Sequence, residues 1–152
     1  MPLKDLIDIP PVWLVLAIIV AWLQAHLLPL GLTLEGAVTD ALAGLMIGAG
    51  AFLILAAALA FRRARTTILP HQTPAALITT GVFARTRNPI YLADVLILTG
   101  FILRFDAVAS LVLVPIFVWW IERHFIVPEE NRMRRTFRAD FAAYERKVRR
   151  WV

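Results

Sequence analysis

Between Asp8 and Glu35, and again between Asp40 and Arg62, the chain carries no charged side chain. Each run is at least as long as the ~20 residues a helix needs to cross the ~30 Å hydrocarbon core of a bilayer. Backbone in hydrocarbon must satisfy its own N–H and C=O groups, which leaves a helix as the simplest solution. The first run is not a secretory signal: its apolar part is too long, and Asp5 and Asp8 offset Lys4 ahead of it. With 60% hydrophobic residues, the 152-residue chain reads as an all-α integral membrane protein.

The spacing predicts four transmembrane helices in one membrane domain, at about 12–30, 41–61, 89–103 and 107–127. Gly44 and Gly48 in the second, four residues apart, are expected to let helices approach closely. The 62–88 stretch, with Thr66, Thr67, Pro70, Pro74 and Thr79-Thr80-Gly81, predicts irregular backbone over a surface. Asn88 reads as an N-cap and Pro89 as a first helical residue. The third span is short, and pairs with the fourth as a helical hairpin around Arg104-Phe105-Asp106. Pro128 is expected to open a last helix, with Glu129 and Glu130 in its first turn. Met133, Phe137, Phe141, Tyr144, Val148 and Trp151 recur at helical spacing, so 128–152 reads as a C-terminal amphipathic cytoplasmic helix.

The formal net charge is +5, but the bases are not arranged for nucleic acid. Of 16 Lys and Arg, five lie between Arg62 and Arg87 and nine between Arg123 and Arg150. That asymmetry places the 62–88 loop, the tail and both termini in the cytoplasm, with anionic lipid headgroups as a natural contact. No nucleic-acid partner is expected. Cysteine is absent, which excludes disulfides and thiolate chemistry. No histidine pair has metal-ligand spacing, so no metal is expected either. His26 and His124 read as boundary residues, and His71 as a minor site candidate. Gly48-Ala49-Gly50 lies within a span with no strand before it and is no nucleotide loop.

Charge at the mouth of a membrane helix is costly without a partner or a task. Arg85 and Arg87 stand directly before Asn88-Pro89 and the third span. Singly, an arginine there is a headgroup anchor. Together with a helix N-terminus, two of them form a site for a carboxylate or phosphate. Tyr91 follows one turn in, and Asp94 three residues later on the same face. Asp94 is expected to face the bundle interior and pair with one of the arginines. Glu129 and Glu130 have two readings: helix-start electrostatics, or one carboxylate holding a ligand while the other pairs with an arginine.

These segments resemble the integral-membrane methyltransferases that include isoprenylcysteine carboxyl methyltransferase and the phospholipid (phosphatidylethanolamine) N-methyltransferases, in their broad bacterial branch. The resemblance rests on Thr66-Thr67 to Pro70, on Leu77 to Ala93, and on Glu129-Glu130 followed by Phe137, Phe141, Tyr144, Val148 and Arg150-Trp151. It covers roughly residues 60 to 152. It implies S-adenosyl-L-methionine as methyl donor and S-adenosyl-L-homocysteine as product, handled at the cytoplasmic face of a bacterial inner membrane. It further implies one pocket wall from Arg87, Asn88, Pro89 and Tyr91, and another from Glu129 and Glu130. Arg87, Asn88 and Tyr91 take the catalytic positions. Better-known members have His where this chain has Asn88, and Asn cannot titrate near neutral pH. A glycine that often follows the tyrosine is Ala93 here.

Methyl transfer from a sulfonium is an in-line displacement, so alignment and exclusion of water matter most. The implied acceptor is a membrane lipid or other lipophilic or small nucleophile: a carboxylate, thiol or lipid amine. The rival from another class is a small four-span transporter or structural subunit. It leaves Glu129-Glu130 and the long tail without a purpose.

Overall fold

The computed structural model describes residues 8–66 and 74–152. Thr67, Pro70 and His71 lie outside the described residues. Four helical segments run back and forth. α1 spans Pro10–Leu27, α2 spans Ala37–Arg63, and α3 spans Pro89–Arg104. The last is a continuous run from Val108 to Lys147 that changes character along its length. It begins as a 3-10 turn at Val108–Val112, becomes α4 at Leu113–Ile121, widens to a π stretch at Glu122–Ile126, and continues as α5 at Val127–Lys147.

Three of these segments, α1, α2 and the Val108–Lys147 run, are long and apolar enough to cross a membrane. α3 has 16 residues, about 24 Å of helix at 1.5 Å per residue, short of the ~30 Å core. It is nevertheless the hub. α2 packs along one side of it, α1 and the final run along another, while α1 and α2 make no comparable contact with each other. Leu98 and Ile102 of α3 are fully buried, against Ile121 and Ile126 of the final run. The outward faces are apolar: Leu45, Phe52 and Leu55 on α2, and Ile116 and Trp119 on α4, are all exposed. A face that apolar is suited to lipid.

The α2–α3 seam depends on glycine, though not on the two the spacing suggested. Gly44 and Gly48 have open space where a side chain would stand, so they face outward. The close approach is made by Gly50 and Gly100. A Cβ on Gly50 would lie 2.9 Å from the Ala93 carbonyl, and one on Gly100 2.9 Å from that of Ala43. One glycine per helix lets the two backbones nearly touch.

At one end of the bundle, Asp106 takes a left-handed conformation (φ 53) that short polar side chains tolerate. Its Oδ1 accepts the Leu34 N–H at 2.7 Å, tying the two connections of that end together. The other end gathers the start of α1, the 74–88 segment and the C-terminal tail. There His124 Nε2 lies 2.8 Å from Asp8 Oδ2, and the Trp13 indole donates to Asp8 Oδ1 at 3.0 Å.

The tail departs from expectation twice. Pro128 does not open a helix, because the chain reaches it already helical. Proline lacks the N–H that would bond back one turn, and the π stretch just before it absorbs that loss. Nor is 128–152 one amphipathic helix. At Arg138 the backbone adopts φ 42, ψ −111 and reverses. Arg134 bonds Glu145, eleven residues on, which a straight helix would hold ~16 Å away. The folded-back limb buries Phe141, Tyr144 and Val148 against Leu77, Met133 and Phe137. After Lys147 the chain is extended and lies on the segment before α3.

Candidate functional site

Three local devices build the site. The first is the entry to α3. Gly81, at φ 63, opens a 3-10 turn through Ala84 that buries Phe83 edge-on against Phe61 of α2 (centroids 5.5 Å apart). The extended tail clamps the residues between that turn and α3: Arg87 N–H donates to Arg149 O at 3.0 Å, and Thr86 Oγ1 to Arg150 O at 3.1 Å. Asn88 occupies the N-cap position of α3 but makes no side-chain cap. Its Nδ2 donates to Arg150 O at 3.1 Å, so the side chain is tied to the tail and its oxygen makes no cap. Pro89 is the first helical residue, as its fixed φ and missing N–H favour.

The second device is an ion-pair cluster centred on Glu130, which is 4% exposed. Arg150 grips it with a two-pronged fork, Nη2–Oε2 at 2.7 Å and Nε–Oε1 at 3.1 Å. Arg87 Nη2 lies 3.2 Å from Oε1, and Arg134 Nη2 3.4 Å from Oε2. Glu145 lies 2.9 Å from Arg87 Nη1 and also bonds Arg134. Glu122 accepts from Arg150 at 2.7 Å and from the Trp151 indole at 3.0 Å. The hydrogen bond from Arg134, reinforced by Arg87, holds the Glu145 carboxyl below its usual range. The hydrogen bond to Glu130 secures the charge on Arg150. Yet Arg87 is not satisfied among the described residues: its Nε is buried without a hydrogen-bond partner, and Nη1 meets Glu145 off the bonding axis.

The third device is Tyr91, whose hydroxyl donates to Glu129 Oε2 at 3.0 Å and whose ring stacks on Phe125. Glu129 and Glu130 therefore divide the work, one facing Tyr91 and the other the arginines. The helix-start reading of this pair falls away, since the helix is continuous through it.

Around these groups lies a cavity of about 420 Å³, within the usual 300–1,000 Å³ of ligand sites. Pro10 and Leu14 of α1 and Ile54 and Phe61 of α2 supply apolar wall, while Arg87, Asn88, Tyr91, Asp94 and Glu129 supply polar groups. A smaller recess of about 60 Å³ adjoins it on the tail side, with Phe83, Arg87, Asn88 and Glu129 common to both linings. Leu77, Glu130, Met133, Phe141 and Tyr144 complete the recess.

Arg87, Asn88, Pro89, Tyr91, Glu129 and Glu130, picked out from sequence, are thus brought to one place. Arg85 is not; it is exposed. Asp94 is buried as expected but reaches no arginine among the described residues. Arg87 is turned to Glu130 and Glu145, and Asp94 Oδ2 has no hydrogen-bond partner there. Glu122, Glu145 and Arg134 were missed, and no local pattern marks them. Arg150 was visible only within the resemblance, and Tyr144 there and in the helical spacing of the tail, with no partner assigned to either.

An apolar helical bundle with a mainly apolar cavity at one end, into which a few polar side chains converge, defines an integral membrane protein. More particularly, the chain belongs to the phospholipid methyltransferase family, whose model matches residues 38–140. It is a membrane methyltransferase, and that family implies S-adenosylmethionine as methyl donor. No curated protein and no solved structure matches the chain.

Proposed function

We propose that the chain transfers a methyl group from S-adenosyl-L-methionine to a lipophilic acceptor at the cytoplasmic face of the membrane. The observation that carries this reading is the convergence of Arg87, Asn88, Tyr91 and Glu129 on one cavity, polar at the tail and apolar toward the bilayer. In this reading four helices span or enter the membrane, α3 only in part. The excess of Lys and Arg in the loop and tail supports a cytoplasmic site.

The residues present suit the donor. The unspent N–H groups of Arg87 fit a carboxylate, Glu129 fits hydroxyl or ammonium donors, and the faces of Phe83 and Tyr91 fit a sulfonium. When bound, the donor supplies an electrophilic methyl carbon for in-line displacement. Arg87 and Glu129 orient, Tyr91 is held by Glu129, Asn88 pins the tail across the site, and the apolar wall excludes water. The recess adjoins the cavity at Phe83, Arg87, Asn88 and Glu129, which puts these four residues within reach of a donor held on the tail side.

Calorimetric titration of the detergent-purified protein with S-adenosyl-L-homocysteine tests the proposal. Saturable binding is expected, and its absence sinks the methyltransferase reading. Arg87→Ala and Glu130→Ala should each weaken binding at least ~10-fold, the scale of one lost hydrogen bond to a charged group. Wild-type affinity in both variants, with the fold intact, would remove these residues from the site.

A further inference from the structure

Glu122 touches neither cavity, yet it holds the segment that crosses the site. Its Oε1 accepts from Arg150 Nη1 at 2.7 Å and its Oε2 from the Trp151 indole at 3.0 Å. Among the described residues, Glu122, Arg150 and Trp151 line neither the cavity nor the recess. The Trp151 ring packs against the bundle core. From that anchorage the tail turns its polar groups inward. The Arg149 carbonyl accepts the Arg87 N–H, and the Arg150 carbonyl accepts from Asn88 Nδ2 and Thr86 Oγ1. The Arg150 fork holds Glu130. Arg87, Asn88 and Glu130 all line the recess. Their placement therefore depends on a short extended segment whose outer fastening is one carboxylate.

The π stretch makes this fastening possible. Glu122 and Glu130 grip the same guanidinium, each at 2.7 Å. In a straight α-helix, side chains eight positions apart stand about 80° apart around the axis. The π stretch over Glu122–Ile126 has more residues per turn and takes up most of that angle. Both carboxylates then meet Arg150 from one face. Local π insertions are frequent at functional sites, and here the insertion has a specific geometric result.

We propose that Glu122 is a positioning residue for the donor site. It anchors the 148–151 segment, and that segment holds Arg87, Asn88 and Glu130 in the arrangement that S-adenosyl-L-methionine binds. This rests on the methyltransferase reading above. Docking of the segment and binding of the donor are then coupled, and by linkage each strengthens the other by the same factor. A carboxylate that merely stabilises the fold predicts no such reciprocity.

The test exploits the absence of cysteine from the chain. Val152→Cys, at an exposed position just past Trp151, accepts a single nitroxide label whose mobility reports whether the segment is docked. Detergent-purified full-length protein carrying only this label should bind S-adenosyl-L-homocysteine as wild type does. Adding Glu122→Ala should free the label and weaken that binding ~10-fold, the scale of one lost hydrogen bond to a charged group. Saturating S-adenosyl-L-homocysteine should then immobilise the label again. Wild-type affinity in Glu122→Ala, or a label that stays free at saturation, overturns the proposal. Trp151→Phe is a milder variant that keeps the ring and removes one of the two bonds to Glu122. It should raise label mobility and lower affinity together, by a smaller factor than Glu122→Ala. A change in one without the other, or in neither, also overturns the role of Glu122. Wild-type protein that fails to bind S-adenosyl-L-homocysteine defeats the underlying methyltransferase reading instead, and this proposal with it.

Discussion

Tyr144 shows how one residue holds the tail over the site. Its ring packs on Phe141, and its hydroxyl donates to the Phe83 carbonyl at 2.6 Å. Burial pushes its phenol up to about 12, with Arg87 opposing the shift. In the unfolded chain the phenol titrates near 10. The folded protein therefore keeps a proton that the unfolded chain has lost between these values. By linkage the contribution is complete below pH 10 and disappears as pH rises toward 12. Tyr144→Phe should cost about 0.5–1.5 kcal/mol at neutral pH through the lost hydrogen bond. It should also flatten the alkaline limb of the stability curve. Thermal unfolding in detergent, followed by tryptophan fluorescence across pH 8–12, checks both; an alkaline limb as steep as wild type refutes the assignment.

At the scale of elements, the α2–α3 seam separates glycines that matter from glycines that do not. Gly50→Ala and Gly100→Ala each drive a methyl against a carbonyl and an isoleucine, and should destabilise by about 1–3 kcal/mol. Gly44→Ala and Gly48→Ala meet nothing and should be neutral or stabilise by up to ~1 kcal/mol through helix propensity. Melting temperatures of the four variants decide it, and equal losses would mean the outward face is covered. Sequence could not make this distinction, since spacing reveals which residues share a face but not which way the face points. The helices themselves were legible because uncharged runs of that length have one good solution in a bilayer. Arg87 and Glu130 were legible because charge at a membrane doorway needs a reason. The reversal at Arg138 was not: a left-handed turn is ordinarily signalled by Gly or Asn, and arginine gives no such sign. With the reversal unseen, the partners it delivers, Glu145 and the extended 148–151 segment, stayed hidden too.

The whole molecule is asymmetric in a way that bears on how an acceptor arrives. α3 packs against both α2 and α1, which make little contact with each other, and where both border the cavity they leave a crevice beside α3. The 420 Å³ cavity occupies this crevice, with Leu14 of α1 and Ile54 of α2 both in its wall. An apolar chain entering from the bilayer would slide along that crevice, leaving its reactive head among Arg87, Tyr91 and Asp94. Filling the crevice should then penalise long acceptors selectively. Leu14→Trp and Ile54→Trp are each expected to lower kcat/KM for dodecylamine by roughly 5- to 150-fold, the equivalent of 1–3 kcal/mol of overpacking. Butylamine, too short to occupy the crevice, should be turned over nearly as well by the variants as by wild type. S-adenosyl-L-homocysteine affinity should not change if, as proposed, the donor sits beyond Arg87, toward the tail. Methyl-transfer assays with the two amines, run beside calorimetry, separate the cases: an equal loss for both would mean general damage to the bundle, and no loss for either would place the acceptor's path elsewhere.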